Sequence, residues 1–502
     1  MRQGKLLTCG LLILFAMAIG STTWSQTQIG PFEITGFYQY TINPATEHAN
    51  PNNFTCLSFI VGPFRCSPGL QKKGGKPDFL LMRQLLDVNI FGKFNEDWSV
   101  KLQPRLFFDM TKIADNHFRQ YESLPTSFPG SGSMLRGGGN DFKAEMSQAY
   151  IDYRSGPLWV RTGKQQIAWG EAIALRVLDT VNPLDLSQFL FIDRAFEEFD
   201  RIRIPQWFIR ADYTIPNLTI PDLTAELILN PGAVTPTILP EQGAPYNLVP
   251  SFLKIRNHVN QGEPTAGGRL TGTAGGVQFS ANFVTKPSDD AVGVSKGVHF
   301  VPGCLFPFSP ADVNCKVLLD GKHPRIYIVG GSMNYNWAWA GAILRLETTV
   351  TPNAPFLRSI GGTPKRIIER PVWKSVIAVD RPTYVIPGLD SMTIGFQFFE
   401  TFTGGRHHNF ADSNGAKVDQ AVHTPSIFLQ QPLFDKRVTL EFLGIFDTDD
   451  AHWLQSNIHW EIGSNIRMDL FYNKLGGAEK RPGRLGGLAF SNGPAFRFTY
   501  GF

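Results

Sequence analysis

Two residues that could form a catalytic pair lie close together near the carboxyl end of the chain. Ser456 and His459 stand three positions apart in LQSNIHWEI, and a nucleophilic hydroxyl needs a base within hydrogen-bond reach. Residues three apart on a strand point to opposite faces, so these two side chains cannot pair within one strand. The GxSxG pattern of serine hydrolases is absent. We therefore interpret His459, with Asn457 and Glu461, as residues of an inward strand face.

Other stretches contain metal-binding residue types. His407 and His408 are adjacent in a glycine-rich connection, without a carboxylate at helical spacing. The acidic stretch DTDD (residues 447–450) could give Ca²⁺ oxygen ligands, although an exposed acidic turn is the more usual structure. No CxxCH sequence and no phosphate-binding glycine loop is present. The sequence predicts no metal, no cofactor and no enzymatic activity.

The amino-terminal residues have the pattern of a secretory signal peptide. Arg2 and Lys5 precede an apolar run over 11–19, and Thr23 and Ser25 occupy the −3 and −1 positions of a cleavage site. This run is too short for a spanning helix. We expect residues 1–25 to be removed and the mature protein, residues 26–502, to be exported.

The composition is unusual for a secreted enzyme. The chain has 40 Phe, 10 Trp and 49 Gly, with only 18% charged residues. The formal net charge of +4 falls to about +2 without Arg2 and Lys5, which argues against a polyanion-binding role. The short basic cluster Lys480, Arg481 and Arg484 could instead contact lipopolysaccharide phosphates. No nucleic-acid partner is expected.

Apolar and polar residues alternate along the whole mature chain. In WSVKLQPRLFFDM one face carries Trp98, Val100 and Leu102, whereas the other carries Ser99 and Lys101. The same period of two marks about 18 candidate strands, and no run of 18 apolar residues follows residue 26. The connections between strands are alternately short and long, as in transmembrane β-barrels with short periplasmic turns and long external loops. The strand predicted over 158–169, for example, precedes the long connection 170–205, and 352–369 is another predicted long connection. The sequence predicts an all-β, antiparallel transmembrane barrel of 16–18 strands in the outer membrane.

The chain ends in a strand with an aromatic face. Phe496, Phe498, Tyr500 and Phe502 alternate with Arg497, Thr499 and Gly501. This pattern resembles the terminal strand that the bacterial barrel assembly machinery reads. We therefore expect the assembly machinery to be a partner, together with outer-membrane lipid and lipopolysaccharide.

The four cysteines of the mature chain form two close pairs in predicted external loops. These pairs are Cys56 with Cys66 and Cys304 with Cys315. Four cysteines allow three connectivities, of which the two local bridges are favoured. Disulfides fit an oxidising compartment.

The inward strand positions are mixed in charge. They are predicted to line a polar lumen, or to fill it with internal ion pairs: Arg83, Asp87, Lys101, Arg105, Asp109, Arg345, Glu347, His459, Arg467 and Asp469. The connection 170–205 is poorer in glycine than the other long ones and carries periodic apolar residues. It could enter the mouth or lumen as a constriction or plug, or form an ordinary external loop.

A motif at the start of this connection resembles a known family. VRTGKQQIAWGEA followed by DTVNPLDLS is similar to the Gly-Arg-Gln-x-x-x-Trp-Gly-Glu and Asn-Pro-x-Asp stretches of uncharacterised Gram-negative outer-membrane proteins, the domain of unknown function 1302. The matching positions are Gly163, Gln165, Trp169, Gly170, Glu171, Asn182, Pro183 and Asp185. Lys164 stands where arginine is commoner. A more distant similarity is to alginate-export porins, in which this strand and loop line the pore.

The resemblance sets the functional expectations. We expect Arg161, Gly163, Gln165, Trp169, Glu171 and Asp185 to lie on the substrate path or its constriction. Family members often occur with inner-membrane permeases and periplasmic carrier-like proteins, which implies movement of lipid-like molecules. The preferred hypothesis is a channel or transporter for hydrophobic or amphipathic molecules, with such a permease or carrier as partner. The alternatives are a passive porin for small polar solutes and a structural or adhesion barrel.

Overall fold

The computed structural model describes most strands and part of their connections. It covers residues 27–46, 79–111, 136–138, 142–173, 175–188, 201–216, 219–232, 234–239, 253–258, 262–295, 317–360, 363–405, 410–411, 418–447, 451–477 and 491–502. The predictions for the signal peptide, the four cysteines, His407, His408, Asp449, Asp450 and the basic cluster at 480–484 lie outside these residues. They stay predictions.

The described residues form 24 strands. In chain order they are β1 (Thr27–Ile29), β2 (Phe32–Pro44), β3 (Phe79–Lys93), β4 (Trp98–Asp109), β5 (Arg136–Gly138), β6 (Phe142–Ser155), β7 (Leu158–Gln165), β8 (Gln206–Thr214), β9 (Thr224–Asn230), β10 (Leu253–His258), β11 (Thr265–Ala274), β12 (Val277–Pro287), β13 (Val292–Ser295), β14 (Val317–Lys322), β15 (Arg325–Trp337), β16 (Ala342–Ile360), β17 (Thr363–Thr383), β18 (Met392–Thr403), β19 (Phe410–Ala411), β20 (Ala421–Leu433), β21 (Val438–Phe446), β22 (His452–Ile462), β23 (Ile466–Gly476) and β24 (Gly493–Gly501). Short 3₁₀ turns lie at Leu186–Gln188 and Ala338–Ala340. No helix in the described ranges is long and apolar enough to cross a bilayer.

Eighteen of these strands close into one antiparallel barrel, which confirms the predicted fold class. Around the ring the order is β2, β3, β4, β6, β7, β8, β9, β11, β12, β15, β16, β17, β18, β20, β21, β22, β23 and β24. Closure comes from β24 pairing with β2, with Tyr500 opposite Tyr38. Beyond that ladder Phe502 and Gly36 exchange backbone hydrogen bonds of 2.9 and 2.8 Å. Phe502 therefore extends the β2–β24 pairing that closes the barrel, which we call the seam.

Strand alternation separates an apolar outside from a polar inside. On β23, Leu470 and Tyr472 are exposed, whereas Asp469, Phe471 and Asn473 are buried. On β24, Phe496 is exposed and Arg497 is buried. Large apolar side chains are exposed on most other barrel strands as well, including Leu227, Val329, Trp373, Ile377, Ile458 and Trp460. A closed barrel with an apolar outer band is the structure of a strand-built membrane protein.

Two strand boundaries differ from the sequence prediction. The connection 352–369 was predicted to be a long loop, and that prediction was wrong, because β16 and β17 pair up to Ile360 opposite Thr363. A register shift between Thr351 and Ala354 absorbs part of the proline-containing stretch TPNAP. The strand predicted over 158–169 ends at Gln165, where the chain leaves the wall.

Inside the barrel, charged side chains pair between neighbouring strands. Asp87 is 1% exposed and accepts hydrogen bonds from Arg105 Nε at 2.7 Å and from Gln103 Nε2 at 2.8 Å. His459 Nδ1 lies 2.6 Å from Asp469 Oδ1. Buried charges need such partners, since removing one partner leaves the other uncompensated.

We expect Asp87→Ala to lower the free energy of unfolding by about 3 kcal/mol, because the buried Arg105 guanidinium loses its carboxylate partner at 2.7 Å and keeps only Glu145 at 3.8 Å. Urea unfolding of the protein refolded into lipid vesicles measures this. Asp97→Ala, in the exposed turn before β4, is the control and should change little. A double variant, Asp87→Ala with Arg105→Met, should recover much of the loss; no recovery would contradict the pairing account.

Candidate functional site

The chain leaves the wall after β7 and returns to it at β8, and we call residues 166–205 the inserted segment. Residue 174 and residues 189–200 of this segment lie outside the described part. At the exit point Gln165 is fully buried, and its Nε2 donates a hydrogen bond to Phe208 O on β8 at 3.0 Å. Gln206, at the re-entry point, donates to Thr235 O at 2.9 Å. Two glutamine side chains thus cap the ends of two interrupted strands.

Gly163 lets β7 approach β6 closely just below the exit. Its φ is +136°, a backbone conformation that favours glycine. A Cβ at this position would overlap the carbonyl oxygen of Ala149 and lie 2.7 Å from Tyr150 Cα. Lys164 Nζ donates to Met146 O at 2.7 Å, so the motif's basic residue caps a β6 carbonyl.

Glu347 on β16 holds the first part of the inserted segment. Its carboxylate is almost fully buried and accepts the backbone N–H groups of Glu171, of Ala172 at 3.1 Å and of Leu178 at 3.2 Å. Hydrogen bonds to a charged acceptor are about twice as strong as neutral ones. Gly170 sits against this contact, since a Cβ there would lie 3.1 Å from Glu347 Oε2.

Two further wall residues bind the backbone of the inserted segment. Lys286 on β12 donates Nζ to the carbonyl oxygens of Thr180 and of Val181, the latter at 3.1 Å. Gln397 on β18 accepts the N–H of Ile173 at 3.2 Å. The segment is therefore bonded to β12, β16 and β18.

Apolar side chains of the segment cover apolar patches on the inner wall. Ile167, Trp169 and Val181 pack with wall residues of β8, β9, β12 and β15: Phe208, Ile228, Val284, Ile326 and Ile328. Ile173 packs against Phe428, Leu443, Ile445, Trp453 and Leu475. Ala172, Leu175 and Val177 pack with Val376 and Phe399. The segment therefore contacts widely separated parts of the ring.

Internal contacts shape the segment itself. Asp179 is buried and pairs with Arg203 Nε at 2.8 Å and Arg176 Nε at 3.5 Å. Asn182 accepts Ile167 N–H at 2.7 Å and donates to Ile204 O at 2.8 Å, which ties the outgoing limb to the returning limb. The Asn-Pro pair of the motif is thus more than a turn signal.

The six residues predicted for the substrate path occupy different places. Gly163, Gln165 and Trp169 lie at the exit from the wall, and Trp169 is buried with its indole N–H donating to Glu226 at 3.1 Å. Glu171 is exposed, accepts from Asn334 Nδ2 at 3.1 and 3.2 Å, and lies 3.8 Å from Arg345. Asp185 accepts from the N–H and hydroxyl of Ser187.

Arg161 lies nearer to the short-turn end of the barrel than the inserted segment. Its guanidinium pairs with both carboxylate oxygens of Asp152, at 2.7 and 2.9 Å. It lies over the rings of Tyr150 and Trp159, at 3.7 and 4.7 Å from their centroids. Their contact with a substrate stays a prediction.

The residues predicted to line the lumen are found on the strands expected. Arg83 lies 3.7 Å from Asp109, and Arg345 lies 2.8 Å from Asp380. The remaining members stand as follows: Asp87, Arg105, Glu347, His459 and Asp469 are buried, while Lys101 and Arg467 are half-buried. Whether they face a solute path stays a prediction.

Sequence reasoning missed Lys286, Gln397, Glu226 and Gln39 as wall partners of the inserted segment. Lys286 and Gln397 occupy inward positions that strand alternation could have marked. Their pairing with residues 173, 180 and 181 joins distant parts of the chain, and no local pattern signals that.

The tested catalytic and metal patterns do not assemble in the described residues. Ser456 is exposed on the outer face, while His459 is buried on the inner face. Within the described ranges no group of three or more His, Cys, Asp or Glu side chains is placed to hold a metal ion.

The model of a protein family described as "protein of unknown function (DUF1302)" matches residues 86–365, more than half of the 502 residues. The chain belongs to this family. The resemblance stated from the motif is thereby confirmed, and residues 86–365 of the DUF1302 match include the inserted segment and its β12 and β16 anchors.

Solved structures with overall similarity are outer-membrane proteins. OmpF of Salmonella typhi in complex with daunomycin is 7% identical, with 94% of this chain and 97% of that chain covered and a TM-score of 0.41. The channel DcaP of Acinetobacter baumannii is 10% identical over 94% and 97%, with a TM-score of 0.39. Wzi of Escherichia coli, a carbohydrate-binding β-barrel involved in group 1 capsule assembly, is 10% identical over 94% and 84%, with a TM-score of 0.42. No curated protein matches the sequence.

We expect Gly163→Ala to lower the free energy of unfolding by about 3 kcal/mol or more, because the methyl group adds backbone overlap to a strained conformation. Gly156→Ala is the matched control. Its φ is +55° with open space around it, so only about 1 kcal/mol of left-handed strain is expected. Urea unfolding compares the two, and equal losses would show that the close approach to β6 is unimportant.

Proposed function

We propose that the protein is an outer-membrane transport barrel for hydrophobic or amphipathic molecules, in which the inserted segment obstructs the lumen and is displaced for passage. The closed antiparallel ring and its apolar outer band support the placement in the outer membrane. Aromatic pairs near the short-turn end, such as Trp98 with Tyr153 at 4.7 Å and Trp337 with Trp339 at 4.8 Å, support an interfacial girdle there.

The proposed substrate class rests on the apolar patches of the inner wall. A water-filled barrel has a polar interior, whereas this wall presents Phe208, Ile228, Phe399, Phe428 and Trp453 inward. These side chains are buried, and residues of the inserted segment pack against the clusters that they form. Displacement of the segment would expose an apolar wall inside a membrane-spanning barrel, which suits an apolar or amphipathic cargo better than a small polar solute.

The anchoring of the segment supports a reversible closure. Its backbone bonds to the wall run through the side chains of Glu347, Lys286 and Gln397, and no described residue of the segment joins the barrel ladder. Side-chain hydrogen bonds contribute about 1 kcal/mol each, and about 1.5–3 kcal/mol when charged. Apolar packing on the wall and two backbone hydrogen bonds with Ile238, from Leu186 at 2.7 Å and to Leu184 at 2.9 Å, also hold the closed state. A cargo or a partner that replaces these contacts could shift it.

Partners follow from the proposed route. A cargo that crosses the envelope needs a periplasmic carrier or an inner-membrane permease on the other side of the barrel. The terminal strand supports recognition by the assembly machinery, since Phe496, Phe498 and Tyr500 share the outer face and Phe502 closes the seam against Gly36.

We expect Glu347→Ala to raise the open probability of the refolded protein by about tenfold or more, because even one lost charge-assisted bond is worth about 1.4 kcal/mol. Single-channel recording in a planar bilayer measures this, with the unaltered protein largely closed. Glu400→Ala is the control: it removes a wall carboxylate of β18 whose described ion-pair neighbour is His423, outside the segment. A chain without residues 172–200 should conduct steadily.

Steady large openings of the unaltered protein would overturn the closure and favour a passive porin. Silence of all variants, with folding verified by heat-dependent gel mobility, would favour a structural barrel.

A further inference from the structure

A cavity inside the barrel lies between the inserted segment and the wall strands β2, β3 and β4. Its lining consists of Gln39, Thr41, Leu81, Arg83, Leu85, Arg105, Phe107 and Arg201. Arg201 belongs to the returning limb of the inserted segment, and the other residues belong to the wall. The wall residues are in the halves of β2, β3 and β4 that adjoin the long connections.

The lining of this cavity is basic. Arg83, Arg105 and Arg201 come from three different elements, and none of the described lining residues is a carboxylate. The acidic partners Asp87, Asp109 and Glu145 lie on neighbouring wall strands and do not form part of the lining. Three guanidinium groups around one space favour an anion there.

Two of these arginines are fixed before any ligand arrives. Arg201 Nη1 donates to Gln39 Oε1 at 2.8 Å, and its guanidinium lies 5.2 Å from the centre of the Phe37 ring. Gln39 is itself oriented, because its Nε2 donates to Thr499 Oγ1 at 3.0 Å. Arg105 is held by Asp87 at 2.7 Å. Fixed guanidinium groups lose little conformational entropy on binding and match carboxylate and phosphate oxygens.

The rest of the lining is apolar. Leu81 is 1% exposed, and Leu85 and Phe107 are each 7% exposed. Cationic and hydrocarbon side chains thus share one small space. An inorganic anion would use only the arginines, whereas an amphipathic anion would use both kinds of side chain.

A second group of arginines lies on β7 and β8, nearer to the short-turn end of the barrel. Arg161 on β7 is directly opposite Arg210 on β8 in the ladder, and Trp159 lies 4.7 and 4.8 Å from their guanidinium carbons. Each is held by a carboxylate, Asp152 or Asp212. The same combination of guanidinium and apolar ring therefore occurs in both groups of arginines.

We propose that the cavity at Arg83, Arg105 and Arg201 binds the carboxylate or phosphate headgroup of an amphipathic molecule. The cargo class of the barrel is then an amphipathic anion, a refinement that rests on the proposed transport function. Because Arg201 is on the inserted segment, headgroup binding also contacts the element that has to move.

The test is calorimetric binding of octanoate to the full mature protein in phosphatidylcholine nanodiscs, corrected with empty nanodiscs. Octanol and inorganic phosphate are the comparison ligands, since one lacks the charge and the other lacks the chain. We expect octanoate to bind at least about tenfold more tightly than either. We expect Arg201→Gln and Arg83→Gln each to weaken octanoate binding by about tenfold, as for a lost charge-assisted hydrogen bond.

Arg437→Gln, in the exposed turn between β20 and β21, is the charge-matched control and should bind octanoate unchanged. Equal binding of octanoate and octanol would overturn the headgroup site, and so would undiminished octanoate binding by both Arg201→Gln and Arg83→Gln. Binding of phosphate as tight as that of octanoate would show a free-anion site and overturn the amphipathic cargo class. The binding experiment does not depend on transport. If Glu347→Ala opens the barrel but the unaltered protein does not bind octanoate, the headgroup site is refuted and the proposed closure by the inserted segment is retained.

Discussion

A polypeptide segment that leaves a barrel wall for the lumen takes its backbone N–H and C=O groups away from the strand ladder, and each buried group needs a new partner. In this protein the wall supplies several of those partners through side chains. Glu347 accepts three backbone N–H groups, and Lys286 donates to two backbone carbonyls. The position of the inserted segment depends on this exchange of ladder bonds for side-chain bonds, and so does the cavity lined by Arg83, Arg105 and Arg201.

The family motif can be understood in these terms. Gly163 allows close contact of β7 with β6, Lys164 and Gln165 cap carbonyls at the break, and Asn182 ties the two limbs together. The motif therefore specifies how a strand is interrupted and how the chain is packed inside the barrel. A cargo-specific role falls more naturally to residues outside it, such as Arg83 and Arg201.

The sequence predicts the barrel well because alternation is a local property. Exposed and buried side chains alternate along each strand, as Leu470 and Asp469 show. An even number of antiparallel strands lets the first and last barrel strands, β2 and β24, pair with each other. Strand ends were less predictable. The prolines at 352 and 355 suggest a loop, but a register shift accommodates them in β16. The end of β7 at Gln165 was not predictable from its neighbour, because β6 continues to Phe142, beyond its last pair with Lys164. The contacts of Glu347 and Lys286 were beyond local patterns, since they join residues more than a hundred positions apart.

The inserted segment lies inside the barrel and packs against the wall. The most direct measurement is disulfide cross-linking of Ala172→Cys with Val376→Cys in native outer membranes, with the four mature cysteines replaced by serine. Ala172 packs against the cluster that contains Val376, whereas the neighbouring Ile377 is exposed on the outer face. We expect rapid cross-linking of Ala172→Cys with Val376→Cys and no cross-linking of Ala172→Cys with Ile377→Cys. Absence of a 172–376 cross-link, with both cysteines reactive to a small maleimide, would contradict it.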